Sequence, residues 1–163
     1  MGIRDRWISL LHRVATGTKK TRTLLTPIGV VIFAVFTALF VILAVILDRL
    51  LALPWPVPNG ISWLVSVPLM AIGVAATAWS ASHFLRVKGT PVPFNPPPTL
   101  VTTGPYRFSR NPMLTGVFLL LFGIGFAIKS LSLVVFFTPL FVLANVWELK
   151  VIEEPELVKR LGK

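Results

Sequence analysis

Four long apolar runs constrain this chain more than any other feature; we read them as residues 25–47, 61–85, 113–128 and 131–147. A bilayer needs roughly 20 apolar residues in helical form, and only helices or closed barrels satisfy their backbone polar groups inside lipid. The runs lack the alternation of a barrel strand, so the expected fold is an all-α, polytopic membrane protein of four transmembrane helices. The last two runs are short, and only Lys129 and Ser130 with their neighbours separate them, which predicts a tight helical hairpin. Pro68 and Pro139 fall inside the second and fourth runs, where a missing backbone donor predicts a kink.

Composition agrees: 55% of the 163 residues are hydrophobic and only 13% are charged. One compact unit, residues 1–163, is expected at this length. The chain has no cysteine, which excludes disulfides, thiolate metal sites and a cysteine nucleophile. The net charge of +10 is spread beside the apolar runs, a pattern of anionic lipid contact and topology rather than of nucleic acid binding.

Basic residues set the expected orientation. Residues 1–22 carry Arg4, Arg6, Arg13, Lys19, Lys20 and Arg22, interleaved with Ile3, Trp7, Leu10, Leu11 and Val14 at helical spacing, which predicts a helix lying in the interface. That basic stretch is too long for a cleavable signal peptide. The loop with Arg86, Lys88, Arg107 and Arg110, and the tail with Lys150, Lys159, Arg160 and Lys163, are also basic, whereas the two other loops hold only Arg49 and Lys129. Both termini and the 86–112 loop are therefore expected on the cytoplasmic side. The opposite loop, with Trp55 among Pro54, Pro56 and Pro58, reads as an interfacial turn with a tryptophan anchor.

The polar residues that chemistry needs gather at the cytoplasmic ends of the third and fourth runs. All four glutamates lie in residues 148–156, while Arg107, Arg110 and Asn111 precede the third run. A hairpin would bring these opposite charges around one pocket, although a plain cluster of salt bridges has the same charge pattern. Pro91, Pro93, Pro96, Pro97, Pro98 and Pro105 deny the central loop regular structure and read as a stiff cap. No phosphate-binding loop, metalloprotease motif or nucleophile elbow is present. Gly123 and Gly125 read as close helix packing, and His83 as a polar residue at headgroup level.

The run from Leu100 to Met113, with Gly104-Pro105-Tyr106-Arg107 and Arg110-Asn111-Pro112-Met113, is followed by Gly116 and then by Glu153-Glu154-Pro155. In order and spacing these residues resemble the isoprenylcysteine carboxyl methyltransferase and phospholipid N-methyltransferase superfamily, over about residues 89–163. The resemblance implies a membrane methyltransferase that binds S-adenosylmethionine and acts on a lipophilic carboxylate or amine. It implies a cofactor site formed by Gly104, Pro105, Tyr106, Arg110, Asn111, Pro112, Leu114, Gly116, Glu153 and Glu154, with Arg110 and Glu154 as candidate catalytic residues. A carboxylate, an ammonium, a ribose diol and an adenine need donors, acceptors and an apolar shelf, which these residue types offer. Two departures are evident: Leu114 stands where the superfamily usually has tyrosine, and relatives often continue past the Glu-Glu helix with a Tyr- and Arg-rich stretch. The alternatives are a sterol-type membrane reductase, which would need more polar residues for its dinucleotide, and a non-catalytic membrane scaffold or small transporter, the latter of which would place polar residues near the bilayer midplane.

Overall fold

The computed structural model describes residues 19–86, 103–109, 111–155 and 158; the segment 1–18, most of the proline-rich loop, Arg110 and most of the C-terminal tail lie outside them. The described chain is all helical. Helix α1 spans Lys19–Leu50 and α2 spans Asn59–Arg86; a short 3-10 turn, Gly104–Arg107, leads into α3, Pro112–Ala127. Helix α4, Thr138–Glu148, is continuous with the wider π turns Leu133–Phe137 and Leu149–Glu153 on either side.

Three stretches are long and apolar enough to cross a bilayer: Pro27–Leu50, Asn59–His83 and Leu133–Ile152. Helix α3, at 16 residues, rises only about 24 Å, less than the roughly 30 Å of a hydrocarbon core. The fourth helical stretch differs from the expected 131–147 run in continuing without a break past Trp147 into the glutamate-bearing segment.

Both π turns have the same cause. Each ends two residues before a proline: Leu133–Phe137 precedes Pro139, and Leu149–Glu153 precedes Pro155. A helical proline offers no N–H and its ring crowds the carbonyl four residues back. The chain responds by widening, so that the N–H of Thr138 donates to the carbonyl of Leu133 and that of Glu154 to Leu149. The expected disturbance at Pro139 is thus a widened turn.

Phe141, fully buried, is the centre of the apolar core. Around it stand Phe33 and Phe36 of α1, each 6.0 Å away, Phe40 of α1 at 5.3 Å, and Phe118 of α3 at 6.0 Å between ring centroids. These tilted and edge-on contacts tie α1, α3 and α4 together with more than area burial alone.

At the other end of α1, Asp48 caps the start of the last helical stretch. Its carboxylate accepts a hydrogen bond from the Ser130 hydroxyl and, at 2.9 Å, from the Ser132 backbone N–H. The Ser130 hydroxyl oxygen also accepts from the N–H of Leu133 at 3.2 Å, so one serine joins the cap to the helix. Lys129, at φ 56°, makes the reversal between α3 and this cap. Trp55 docks rather than merely floating at the interface: its indole N–H donates to Ser62 at 2.9 Å, and its ring meets Phe126 edge-on at 5.4 Å.

Asp48→Ala removes both acceptors from a helix start and leaves the buried Ser130 hydroxyl and Ser132 N–H without them, and is expected to destabilise the protein by about 1–3 kcal/mol. Thermal unfolding in detergent measures it; Asp48→Asn, which keeps one acceptor oxygen, is expected to fall between the two.

Candidate functional site

The site is positioned by the seam between α2 and α3, the most extensive helix pairing in the described chain. Two glycines of α3 let the backbones approach. A Cβ built on Gly116 would collide with the Thr77 hydroxyl and stand 2.7 Å from the Gly73 carbonyl oxygen. One built on Gly123 would lie 2.6 Å from Met70 Cγ. A buried hydrogen bond, 2.8 Å from the Ser66 hydroxyl to the Gly123 carbonyl, locks the register. Without a hydrophobic drive inside lipid, such close approach and interhelical hydrogen bonding hold helices together.

Ser66 meets Gly123 and Gly73 meets Gly116, so seven residues along α2 match seven along α3 in the opposite direction. Ser80 is fully buried, and among the described residues its hydroxyl and that of Thr77 have no hydrogen-bond partner. Thr77 stands against Gly116, and the face of α2 that carries both hydroxyls leads on to His83 beside the turn that precedes α3.

That turn is short and depends on one glycine. Gly104 sits at φ +62°, a region closed to most side chains, and Pro105 follows it buried. The turn closes through the N–H of Tyr106 to Thr103 O at 3.3 Å and the N–H of Phe108 to Pro105 O at 3.1 Å. His83 of α2 lies against it: its Nε2 is 2.9 Å from the Thr103 hydroxyl, and its ring centroid is 6.2 Å from that of Tyr106.

Helix α3 starts on Asn111, whose side-chain oxygen accepts from the N–H of Leu114 at 3.1 Å. Pro112, buried, occupies the first helical position, where the absence of an N–H costs nothing. The Asn111 carbonyl takes the N–H of Thr115. The amide oxygen and the backbone carbonyl of Asn111 are therefore used within the helix, and Nδ2 is the donor side of this residue. Tyr106 and Leu114 are half-buried beside these groups.

The sequence-predicted residues divide accordingly. Gly104, Pro105 and Tyr106 form the turn; Asn111, Pro112 and Leu114 form the helix start just after it. Gly116 faces α2, where its role is to admit Thr77. Arg110 lies outside the described residues, as does the side chain of Glu153. Glu154 is half-buried at the far end of the last helix. What carries it to this end is the antiparallel packing of α3 and α4: Gly125 abuts Val134 and Phe118 abuts Phe141, again seven residues against seven. His83, read from sequence as a headgroup-level polar residue, is a direct partner of the turn. Its signal was the face 66, 73, 77, 80, on which small and hydroxyl residues recur at helical spacing and lead to it.

Among the described residues no cluster of His, Asp and Glu is arranged to hold a metal ion. The family model for phospholipid methyltransferase matches residues 61–163. The chain belongs to the phospholipid methyltransferase family. No curated protein and no solved structure matches it. The match begins just inside α2 and runs through α3 and α4, so the part of this phospholipid methyltransferase family member that carries the turn and the glutamates is the part the family shares. With three helices suited to span a bilayer, it is an integral membrane protein of a methyltransferase family.

The seam is tested by Gly116→Val. With a backbone carbonyl 2.7 Å from the new Cβ, α2 must move away from α3, and a loss of about 1–3 kcal/mol in detergent unfolding is expected. Gly60→Ala, where a Cβ would meet nothing within 4 Å, is expected to leave stability near the parent value.

Proposed function

We propose that the protein transfers a methyl group from S-adenosylmethionine to a lipophilic acceptor, at the membrane face where the Gly104–Arg107 turn meets the start of α3. The observation that carries this reading is the family match over residues 61–163, which takes in that turn, its partner helix and the glutamates. The distribution of lysine and arginine supports a cytoplasmic position for this face, with both termini on that side. The arrangement is then four spans, the last two a hairpin closed by Lys129 and Ser130, with α3 tilted or the bilayer thinned to fit its length.

The residues present fit the cofactor. The half-buried Tyr106 and Leu114 make an apolar shelf for adenine, and the Asn111 Nδ2 with Arg110 and backbone N–H groups of the turn supplies donors for the carboxylate. Glu153 and Glu154 supply acceptors for the ammonium or the ribose diol. When bound, the cofactor provides an electrophilic methyl on a sulfonium. The protein holds the acceptor in line with that methyl and keeps water out, which is most of the help a displacement of this kind needs.

The family description favours a phospholipid amine as acceptor over a prenylated carboxylate. An amine reaches the site protonated and must lose a proton before it attacks; Glu154 is the carboxylate nearest in role to take it, and Arg110 holds the phosphate or the cofactor carboxylate. A carboxylate acceptor would need no such base. The acceptor enters laterally from the bilayer, and the proline-rich loop closes the site above.

Glu153→Gln and Glu154→Gln each replace a charge-assisted hydrogen bond with a neutral one. Calorimetric titration with S-adenosylmethionine is expected to show a loss of about 10- to 150-fold in affinity for at least one of them. Parent-like binding by both variants would remove the glutamates from the site.

A further inference from the structure

We infer that His83, on the second helix and outside the motif residues, is the positioning residue that fixes the Gly104-Pro105-Tyr106 turn in its binding conformation. The inference rests on the reading of that turn as part of the methyl-donor site.

Three residues at the turn are shaped to one imidazole. Thr103 stands where a side chain would ordinarily cap its own turn, yet it makes no such bond; its hydroxyl lies 2.9 Å from His83 Nε2 instead. Gly104 leaves the room the ring occupies: a Cβ there would come within 2.9 Å of both Cε1 and Nδ1 of His83. Tyr106 then lies across the ring at 6.2 Å and 31°.

The helix behind His83 is rigidly placed. Ser66, Gly73 and Thr77 of α2 are held against α3 by the Ser66 hydrogen bond and by contacts closer than any Cβ would permit. The turn's own backbone bonds are 3.1–3.4 Å long. His83 thus transfers the fixed position of the α2–α3 seam to a turn that comes after a proline-rich loop. A displacement of about 1 Å in groups that orient reactants is enough to lower turnover strongly. The family match, which begins at residue 61, includes the whole stretch of α2 from Ser62 to His83.

The test uses the full chain in detergent, with S-adenosylmethionine affinity and ligand-free unfolding measured for His83→Ala, His83→Gln and His83→Asn. Glutamine extends an amide to about the reach of Nε2; asparagine does not. The alanine and asparagine variants are expected to lose about three- to tenfold in affinity while ligand-free unfolding stays at the parent midpoint, and glutamine to restore most of the loss. Gly104→Ala is expected to weaken binding less in the His83→Ala background than in the parent, because the ring it would strike is gone.

Parent-like affinity in His83→Ala overturns the inference while leaving the cofactor reading intact. Affinity that falls only in step with ligand-free stability, with no rescue by glutamine, also overturns it and leaves His83 as a packing residue. A parent protein that binds no S-adenosylmethionine removes the cofactor reading and this inference with it.

Discussion

Inside a bilayer, lipid tails are as apolar as leucine, so helices gain little by hiding apolar surface from water and must find another reason to pair. Here that reason is the close approach of α2 and α3 at Gly73, Gly116 and Gly123, joined by the Ser66 hydrogen bond to the Gly123 carbonyl. One fixed register results, and it decides which groups stand opposite each other at the polar end. Shifted by a single helical position, His83 would no longer meet Gly104. The turn, the Asn111 cap and the buried hydroxyls of Thr77 and Ser80 all inherit their places from this seam.

The last helix depends on a different pair of constraints. Phe141 gathers Phe33, Phe36, Phe40 and Phe118 about itself, and Asp48 holds the far end of the same helix through Ser130 and Ser132. Beyond α4, Pro155 widens the last turn just where Glu153 and Glu154 occur. A π turn contains one residue more than an α turn, so it rotates the succeeding residues about the helix axis.

The helical class and the apolar runs were legible because a bilayer leaves a chain so few options, and the ends of α2 and α3 fell within a few residues of those read from hydropathy alone. Asn111 and Pro112 were legible as a helix start for equally local reasons. Pairwise geometry was not. The π turns required knowing that Pro139 and Pro155 lie in a helix that continues, whereas sequence suggested a boundary near Trp147. The cap at Asp48 was not legible, since its partners Ser130 and Ser132 are more than 80 residues away. The contact of His83 with the turn was not legible, because nothing local announces that a turn twenty positions on leaves a glycine-sized space for its ring. The family motifs, by contrast, are local strings, and a match over residues 61–163 supports the chemistry they implied.

Methyl transfer itself is the most direct measurement. The purified protein, reconstituted in vesicles containing phosphatidylethanolamine, is supplied with S-adenosylmethionine labelled in its methyl group, and the extracted lipid is analysed for label. Label in N-methylated phospholipid, absent from vesicles without protein and reduced in Glu154→Gln, is the expected result. Folded protein that transfers no label to phospholipid or to a prenylated carboxylate offered in its place would contradict the assignment.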